Sequence, residues 1–337
     1  MGSEMCIRDR VNSAGANAKL GTGEYLVAEA DESDASFLNL KPEMAVVTNI
    51  DHDHMSTYEG NFDVLQKTFV AFLQNLPFYG LAVLCHDDPN LQAVRDAIHK
   101  PIKSYGLSEG ADIYAYNVQQ RGMVMTFDVR RPNRSMDLSI ELAMPGRHNV
   151  LNALAAIAVA THLDVSDDAI MSGLQSFQGI GRRFQVFGDV YFEQGRALLV
   201  DDYAHHPVEL EATLSAARGC WPDRRIVVVF QPHRYSRTYD LFDDFVNVLA
   251  DATSLVICEV YPAGEKPQSN ADGRALCRAI RSRGLSDPVF VPDVAQLSAT
   301  LLPILQDGDV VLTMGAGSIG KVTRELHEQL GQLEVLL

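Results

Sequence analysis

Positive charge is scarce in this sequence: 28 lysines and arginines stand against 44 aspartates and glutamates, a formal net charge of −16. That balance argues against a nucleic-acid partner, because binding phosphates along a backbone requires a basic footprint. Cysteine is sparse as well. Cys6, Cys85, Cys220, Cys258 and Cys277 are odd in number, widely spaced and never form CxxC. The pattern speaks against a disulfide framework or structural zinc and for reduced thiols in a cytoplasmic protein. Long apolar runs are missing: no segment approaches the roughly 20 residues that span a bilayer, so no membrane insertion is expected. The opening MGSEMCIRDR has no apolar core of the signal-peptide kind and resembles nothing that follows. Residues 1–10 are therefore set aside as a non-native junction. Repeats and low-complexity tracts do not occur.

What the sequence does have is an ordinary globular composition, 47 % hydrophobic, over 337 residues, which is more than one hydrophobic core usually organises. From residue 197 onward, apolar β-rich runs (ALLVDDY, IVVVF, LVICEVY, PVFVP, DVVLTMG) alternate with helix-like segments such as HPVELEATLSAAR and DGRALCRAIRSR. Strands apolar on both faces and separated by helices imply a parallel sheet covered on both sides, so 190–337 is expected to be a doubly wound, Rossmann-like α/β domain. The earlier part is mixed. YLVAEAD and MAVVTNI read as buried strands, and Phe62, Leu65, Phe69, Phe72 and Leu76 recur at helical spacing. ADIYAYNVQ, GMVMTFDVR and DLSIELAM then read as strands with some alternation, ahead of the helix HNVLNALAAIAVATHL. Because the chain opens on a loop and a central-looking strand with no first βα unit, it reads as truncated at its N-terminus.

Six polar stretches stand out against this frame. EADESDASF supplies Glu29, Asp31, Glu32 and Asp34 at a strand end, either a solvated acidic turn or hard oxygen ligands for magnesium. TNIDHDHM adds His52, Asp53 and His54 at the end of the next strand, where open α/β sheets bind ligands. GRHNVLNA opens a helix with His148, Asn149 and Asn152. GIGRRFQ places Arg182 and Arg183 in a turn between domains, where they suit a phosphate that both domains touch. In VDDYAHHP, Asp201, Asp202, Tyr203, His205 and His206 crowd together, but adjacent histidines are poorly spaced for zinc. FQPHRYSRT follows the next strand, a sheet neighbour by expectation, and its Arg234 and Arg237 form a carboxylate or phosphate clamp. A seventh stretch, GAGSIGKV, is a near miss twice over. Only 17 residues follow Gly320, too few for the acidic partner of a dinucleotide site, and Val322 stands where a P-loop needs Ser or Thr. It is left open between close strand-to-helix packing and an anion site.

In this order, EADESD, TNIDHDHM, GRHN, GRRF, DDYAHHP and FQPHR resemble the Mur ligase family, over about residues 11–330. The resemblance implies a central Mur-ligase-type ATPase domain at 11–189, incomplete for want of its P-loop, followed by the C-terminal ligase domain at 190–337. It further implies an ATP- and magnesium-dependent ligase that phosphorylates the lactyl carboxylate of UDP-N-acetylmuramate and lets the amine of L-alanine attack the acyl phosphate, in peptidoglycan synthesis. On this likeness Glu29 and His54 ligate magnesium, with Asp31 and Glu32 less defined and His52 unassigned. His148, Asn149 and Asn152 lie by the adenine nucleotide, Arg183 reaches its phosphates, and Asp202 holds the ribose or phosphate side. Tyr203, His205, Arg234 and Arg237 face the muramoyl substrate and L-alanine, and Arg183, His205, Arg234 and Arg237 form the catalytic group. Closure of the second domain would assemble the site only when substrates are present. The family's P-loop and UDP-binding domain have no counterpart in these residues, so a fragment inactive by itself is expected. Competing expectations are a ligase that attaches an intact tripeptide to the same UDP-sugar, folylpolyglutamate synthase, a non-catalytic nucleotide- or substrate-binding module, and, on GAGSIG alone, an NAD-binding protein.

Overall fold

The protein's fold is given by a computed structural model that describes residues 3–5, 18–21, 23–284 and 286–331. Residues 1, 2 and 6–17, and with them most of the expected junction and of the opening loop, lie outside the described residues. The chain divides into two units, 1–179 and 180–337.

The first unit begins with short strands Ser3–Met5 (β1), Ala18–Lys19 (β2) and Leu26–Ala28 (β3), which form a three-stranded sheet in the order β2-β1-β3. Its main sheet follows: Met44–Val47 (β4), helix Phe62–Gln74 (α1), Leu81–Cys85 (β5), helix Pro89–Val94 (α2), Ile102–Gly106 (β6), Ile113–Arg121 (β7), Val124–Arg130 (β8) and Leu138–Leu142 (β9). These six strands lie in sequence order, parallel from β4 to β7 and antiparallel from β7 to β9. The change of direction is legible in the side chains. β5 is buried at every position, whereas β9 alternates between buried and exposed, as a strand with one solvated face does. Helix Arg147–His162 (α3) is rich in alanine and packs on β5 to β8, and Asp167–Gln175 (α4) packs on β9. At the edge of this layer the Arg131 guanidinium, with no exposed side-chain surface, makes a bidentate pair with Asp167 at 2.7 Å for each bond.

YLVAEAD is correctly a strand but not a buried one. Leu26 and Val27 are 63 % and 59 % exposed, because β3 pairs with β1 instead of entering the six-stranded sheet. An apolar β-rich run announces extended backbone; what covers it depends on which ladder it joins.

The second unit contains Gln185–Phe192 (β10), Gly195–Asp202 (β11), helix Pro207–Cys220 (α5), Ile226–Phe230 (β12), helices Tyr235–Asp240 (α6) and Phe242–Ala250 (α7), Ser254–Cys258 (β13), helix Gly273–Ser282 (α8), Val289–Val291 (β14), helix Leu297–Leu301 (α9), Asp309–Met314 (β15) and helix Ile319–Leu330 (α10). The order is β10-β11-β15-β12-β13-β14, all parallel except β10, which joins β11 as an antiparallel hairpin. Alternate residues feed opposite layers. Val227 and Val229 cluster with Leu297, Leu301, Ile319 and Leu326, while Phe230 packs on Phe245 of α7. The sheet is therefore covered on both faces, as the apolar runs require.

Two expectations change here. The division falls at 179/180 and not at 189/190, because the cross-strand bonds of β10 tie it to the second sheet. VDDYAHHP and FQPHR are not on neighbouring strands: β15 lies between β11 and β12. A sequence orders its strands in time and says nothing of the last strand slipping into the middle. No helix among the described residues is long and apolar enough to cross a membrane.

The Arg131–Asp167 pair gives a test of the first unit. Asp167→Asn leaves a buried guanidinium without its counter-charge. Urea denaturation followed by circular dichroism should show a loss of about 3 kcal/mol, the low end for a stripped buried pair because the carboxylate keeps part of its surface in water. An unchanged midpoint would show that solvent already screens the pair.

Candidate functional site

The carboxyl end of β11 places two carboxylates side by side in the interior of the second unit. Asp201 accepts from Arg182 Nε at 2.8 Å and from Thr313 Oγ1 at 2.9 Å. Asp202 accepts from the Phe184 and Ala204 backbone amides, each at 2.7 Å. Burial pushes both carboxyls up, against these hydrogen bonds; Asp202 rises from 3.8 to about 6. The Asp202 carboxylate, expected on the ribose or phosphate side, thus turns to amides of its own chain.

Those bonds fix the turn that carries GRRF. Arg182 and Phe184 both hold left-handed backbone, φ 59° and φ 51°, at about 1 kcal/mol each for residues with a Cβ. The turn is over-determined nevertheless: Arg182 N donates to Gln185 Oε1 at 2.9 Å, and Tyr203 N donates to the Arg182 carbonyl at 2.6 Å. Arg183, between the two strained positions, reaches the Tyr203 ring at 5.5 Å and Glu209 at 3.8 Å.

Around Tyr203 the expected residues of this unit come together. His205 Nδ1 lies 3.0 Å from the Tyr203 carbonyl, an acceptor only, so this nitrogen carries the hydrogen. The His205 and His233 rings meet edge to face at 5.8 Å, and His233 stacks on Tyr261 at 5.5 Å. Arg237, buried, points Nη1 at His233 Nδ1 over 3.3 Å; a guanidinium can only donate, so His233 accepts and is neutral. Burial, followed by His205, Arg237 and Arg234, lowers His233 from 6.5 to about 4. Arg234 is half-exposed and leans on Glu265 at 3.7 Å. The two arginines of FQPHR are therefore held by different partners. His206 instead starts α5, and its side chain and Glu209 close a capping box, with Glu209 accepting from both histidine amides. Burial pushes Glu209 up, but His205, the amides and Arg183 outweigh it and keep the carboxyl below its usual range. Glu209 has a local signal, an acid three residues after the N-cap His206 in HHPVE with Pro207 at the first helical position; Tyr261 comes from beyond β13 and has none.

GAGSIGKV resolves toward close packing. Gly315 has φ 144°, and a Cβ there would press on the Gln231 carbonyl. A Cβ on Gly317 would strike Gln231 and Tyr261, and one on Gly320 the Arg182 guanidinium. The first amide of α10, that of Ile319, donates to Gln231 Oε1 at 2.9 Å.

In the first unit the two acidic and histidine loops do meet. Thr57 Oγ1 donates to the Ser33 carbonyl at 2.7 Å, and the buried Tyr58 hydroxyl donates to the Glu32 carbonyl. Burial first, then Glu32, Asp34 and Asp31, pushes the Tyr58 phenol up to about 12. His54 takes left-handed backbone, φ 52°, with Nε2 3.4 Å from Asp53; His52 stacks on Phe62; Glu29 is exposed. Among the described residues no three His, Cys, Asp or Glu side chains gather as a metal site. Asn149 is buried and donates back to the Pro145 carbonyl at 2.8 Å, closing the start of α3; Asn152 is exposed beside it and His148 half-buried.

The two titrating groups of the second unit act in opposite senses. His233 is harder to protonate folded than unfolded, so its share of stability is intact above about 6.5 and is lost as pH falls through about 4. Asp202 is easier to protonate folded. Its share is complete below 3.8 and is lost as pH rises through about 6, roughly 3 kcal/mol in all. Residue-resolved NMR titration should place the His233 ring midpoint near 4 and the Asp202 carboxyl midpoint near 6; ordinary values for both would contradict the burial described.

Residues 10–160 match the Mur ligase middle domain, and residues 182–317 match the Mur ligase glutamate ligase domain. Among solved structures, the UDP-N-acetylmuramate-alanine ligase MurC from Thermotoga maritima is similar at 25 % identity and a TM-score of 0.78, over 97 % of this chain and 69 % of that one. A murein peptide ligase, Mpl, from Psychrobacter arcticus matches at 23 % identity and 0.66, over 94 % and 67 %. The MurF ligase from Thermotoga maritima, solved in complex with ADP, matches at 18 % identity and 0.67, over 91 % and 70 %. The last two likenesses carry the fold alone. With the two domain matches in the order of the two units and together spanning most of the sequence, this chain belongs to the Mur ligase family.

Proposed function

We propose that this chain is the nucleotide- and acceptor-binding part of an ATP-dependent ligase that joins the lactyl carboxylate of UDP-N-acetylmuramate to L-alanine. In that reaction a carboxylate oxygen attacks the γ-phosphorus and ADP leaves. The amine nitrogen of L-alanine then attacks the acyl carbon, and phosphate departs as the amide forms. Both steps bring anions together, so the enzyme's task is to neutralise charge and hold the reacting groups in line. The observation that carries the reading is the gathering of Arg183, Arg234 and Arg237 with Tyr203, His205 and neutral His233 at the carboxyl edge of the second sheet, in a chain of net charge −16. Such an edge is where open α/β sheets take ligands.

On this reading Arg183 meets nucleotide phosphate. Arg234 and Arg237, with Tyr203 and His205, orient the muramoyl carboxylate and the acceptor. Asp202 acts from behind, by holding Phe184 and Ala204. In the first unit, His148, Asn149 and Asn152 adjoin the adenine side. The residues there also fit magnesium. An ion carried on nucleotide phosphates needs only one or two protein ligands, which Glu29 and His54 would supply from loops that the Thr57–Ser33 and Tyr58–Glu32 hydrogen bonds join. When bound, the ion would screen the charge of the transferring phosphoryl group.

A second reading, which the order of the motifs equally allows, has an intact tripeptide as the acceptor on the same UDP-sugar. Saturation-transfer NMR with ADP present should show L-alanine binding that Arg237→Lys weakens; binding of tripeptide in its place would support the rival.

Within these 337 residues no glycine-rich loop ends in Lys followed by Ser or Thr, so we infer that they do not turn over alone. Purified protein given ATP, magnesium, UDP-N-acetylmuramate and L-alanine should bind ADP, about tenfold more weakly as Arg183→Lys, and release no phosphate above background. Sustained phosphate release would overturn the inactivity, and ADP affinity indifferent to Arg183 would overturn its assignment.

A further inference from the structure

The glycine motif at the start of α10 looks built to receive an anion, yet a cation of the protein fills it. Arg182 Nε donates to buried Asp201 at 2.8 Å, and Nη2 donates to the Gly315 carbonyl at 2.6 Å. Its guanidinium occupies the space a Cβ on Gly320 would take. A positive charge beside a helix N-terminus is opposed by the macrodipole, so the arrangement depends on the Asp201 carboxylate and the Gly315 carbonyl. The same residue contributes its backbone to the strained turn: its carbonyl accepts from Tyr203 N at 2.6 Å, and its guanidinium lies 5.0 Å from the Tyr203 ring. Arg183 follows directly, its guanidinium 5.5 Å from the same ring.

We propose that Arg182 is a positioning residue: seated in the receptacle of Asp201, Gly315 and Gly320, it holds the turn that presents Arg183, and the glycine motif houses this guanidinium instead of a ligand phosphate. The two arginines of GRRF thereby divide their work, one anchoring and one meeting the ligand. Lysine cannot replace the anchor, because a single ammonium lacks the fork that reaches a carboxylate and a carbonyl at once. Gly320→Ala should have the same effect as losing Arg182, although it removes no charge. The effect on ligand rests on the nucleotide reading above; the positioning itself does not.

A double-mutant cycle on the 337-residue protein separates the two. ADP affinity is measured by calorimetry for the parent, Arg182→Lys, Arg183→Lys and the double variant, with circular dichroism melts to show that each is folded. Each single variant should bind about tenfold more weakly, and the double variant no more weakly than Arg183→Lys, since an anchor has nothing left to position. Losses that add to about a hundredfold would mean Arg182 touches the ligand itself, and would overturn the proposal. In parallel, the Arg183 Nε–Hε heteronuclear NOE should drop in Arg182→Lys and in Gly320→Ala. An Arg183 signal as ordered as in the parent would also overturn it. If Arg183→Lys leaves ADP binding untouched, the nucleotide reading fails, and the NOE comparison still decides the positioning.

Discussion

Two adjacent carboxylates cannot enter a protein interior unless their oxygens find donors, and the end of β11 is organised around that demand. Asp201 is met by Arg182 and Thr313, Asp202 by the amides of Phe184 and Ala204. These partners come from the GRRF turn, from β15 and from the loop that leads into α5. Satisfying the pair therefore clamps three segments at the carboxyl edge of the sheet. An unpaired buried carboxylate costs far more than the strain of two left-handed residues, which is why Arg182 and Phe184 can hold a backbone they would not adopt alone.

From that clamp the rest of the edge follows. The fixed turn sets Arg183 against Tyr203, the capping box of α5 holds His205 by way of Glu209, and His205 meets His233 across the strand that separates them in the sheet. A neutral His233 can accept from buried Arg237, where a protonated one would repel it. The arginines are thus held by neutral or negative groups of the protein itself and present their charge in defined directions, the condition for electrostatic work without reorganisation.

Much of this was legible in the sequence. Apolar runs such as IVVVF and DVVLTMG, alternating with helical segments, identify a parallel sheet, and the alternation of DLSIELAM identifies a half-solvated strand. The motif residues of the second unit were legible as a group because they follow strand ends. Three things were not. The exposure of Leu26 and Val27 depends on ladder pairing, which periodicity does not encode. The place of β15 between β11 and β12 is a matter of topology, invisible to strand order in the chain. The occupant of GAGSIG, Arg182, lies well over a hundred residues earlier, and nothing local in either segment announces the other.

The central claim is that the buried aspartate pair, and not the surface, holds the arginine-bearing turn. Native-state amide hydrogen exchange tests it most directly, because the Phe184 and Ala204 amides belong to a turn and a loop that would otherwise exchange quickly. The account predicts that both are protected as strongly as the amides of β15. Exchange at the rate of an open turn would contradict it.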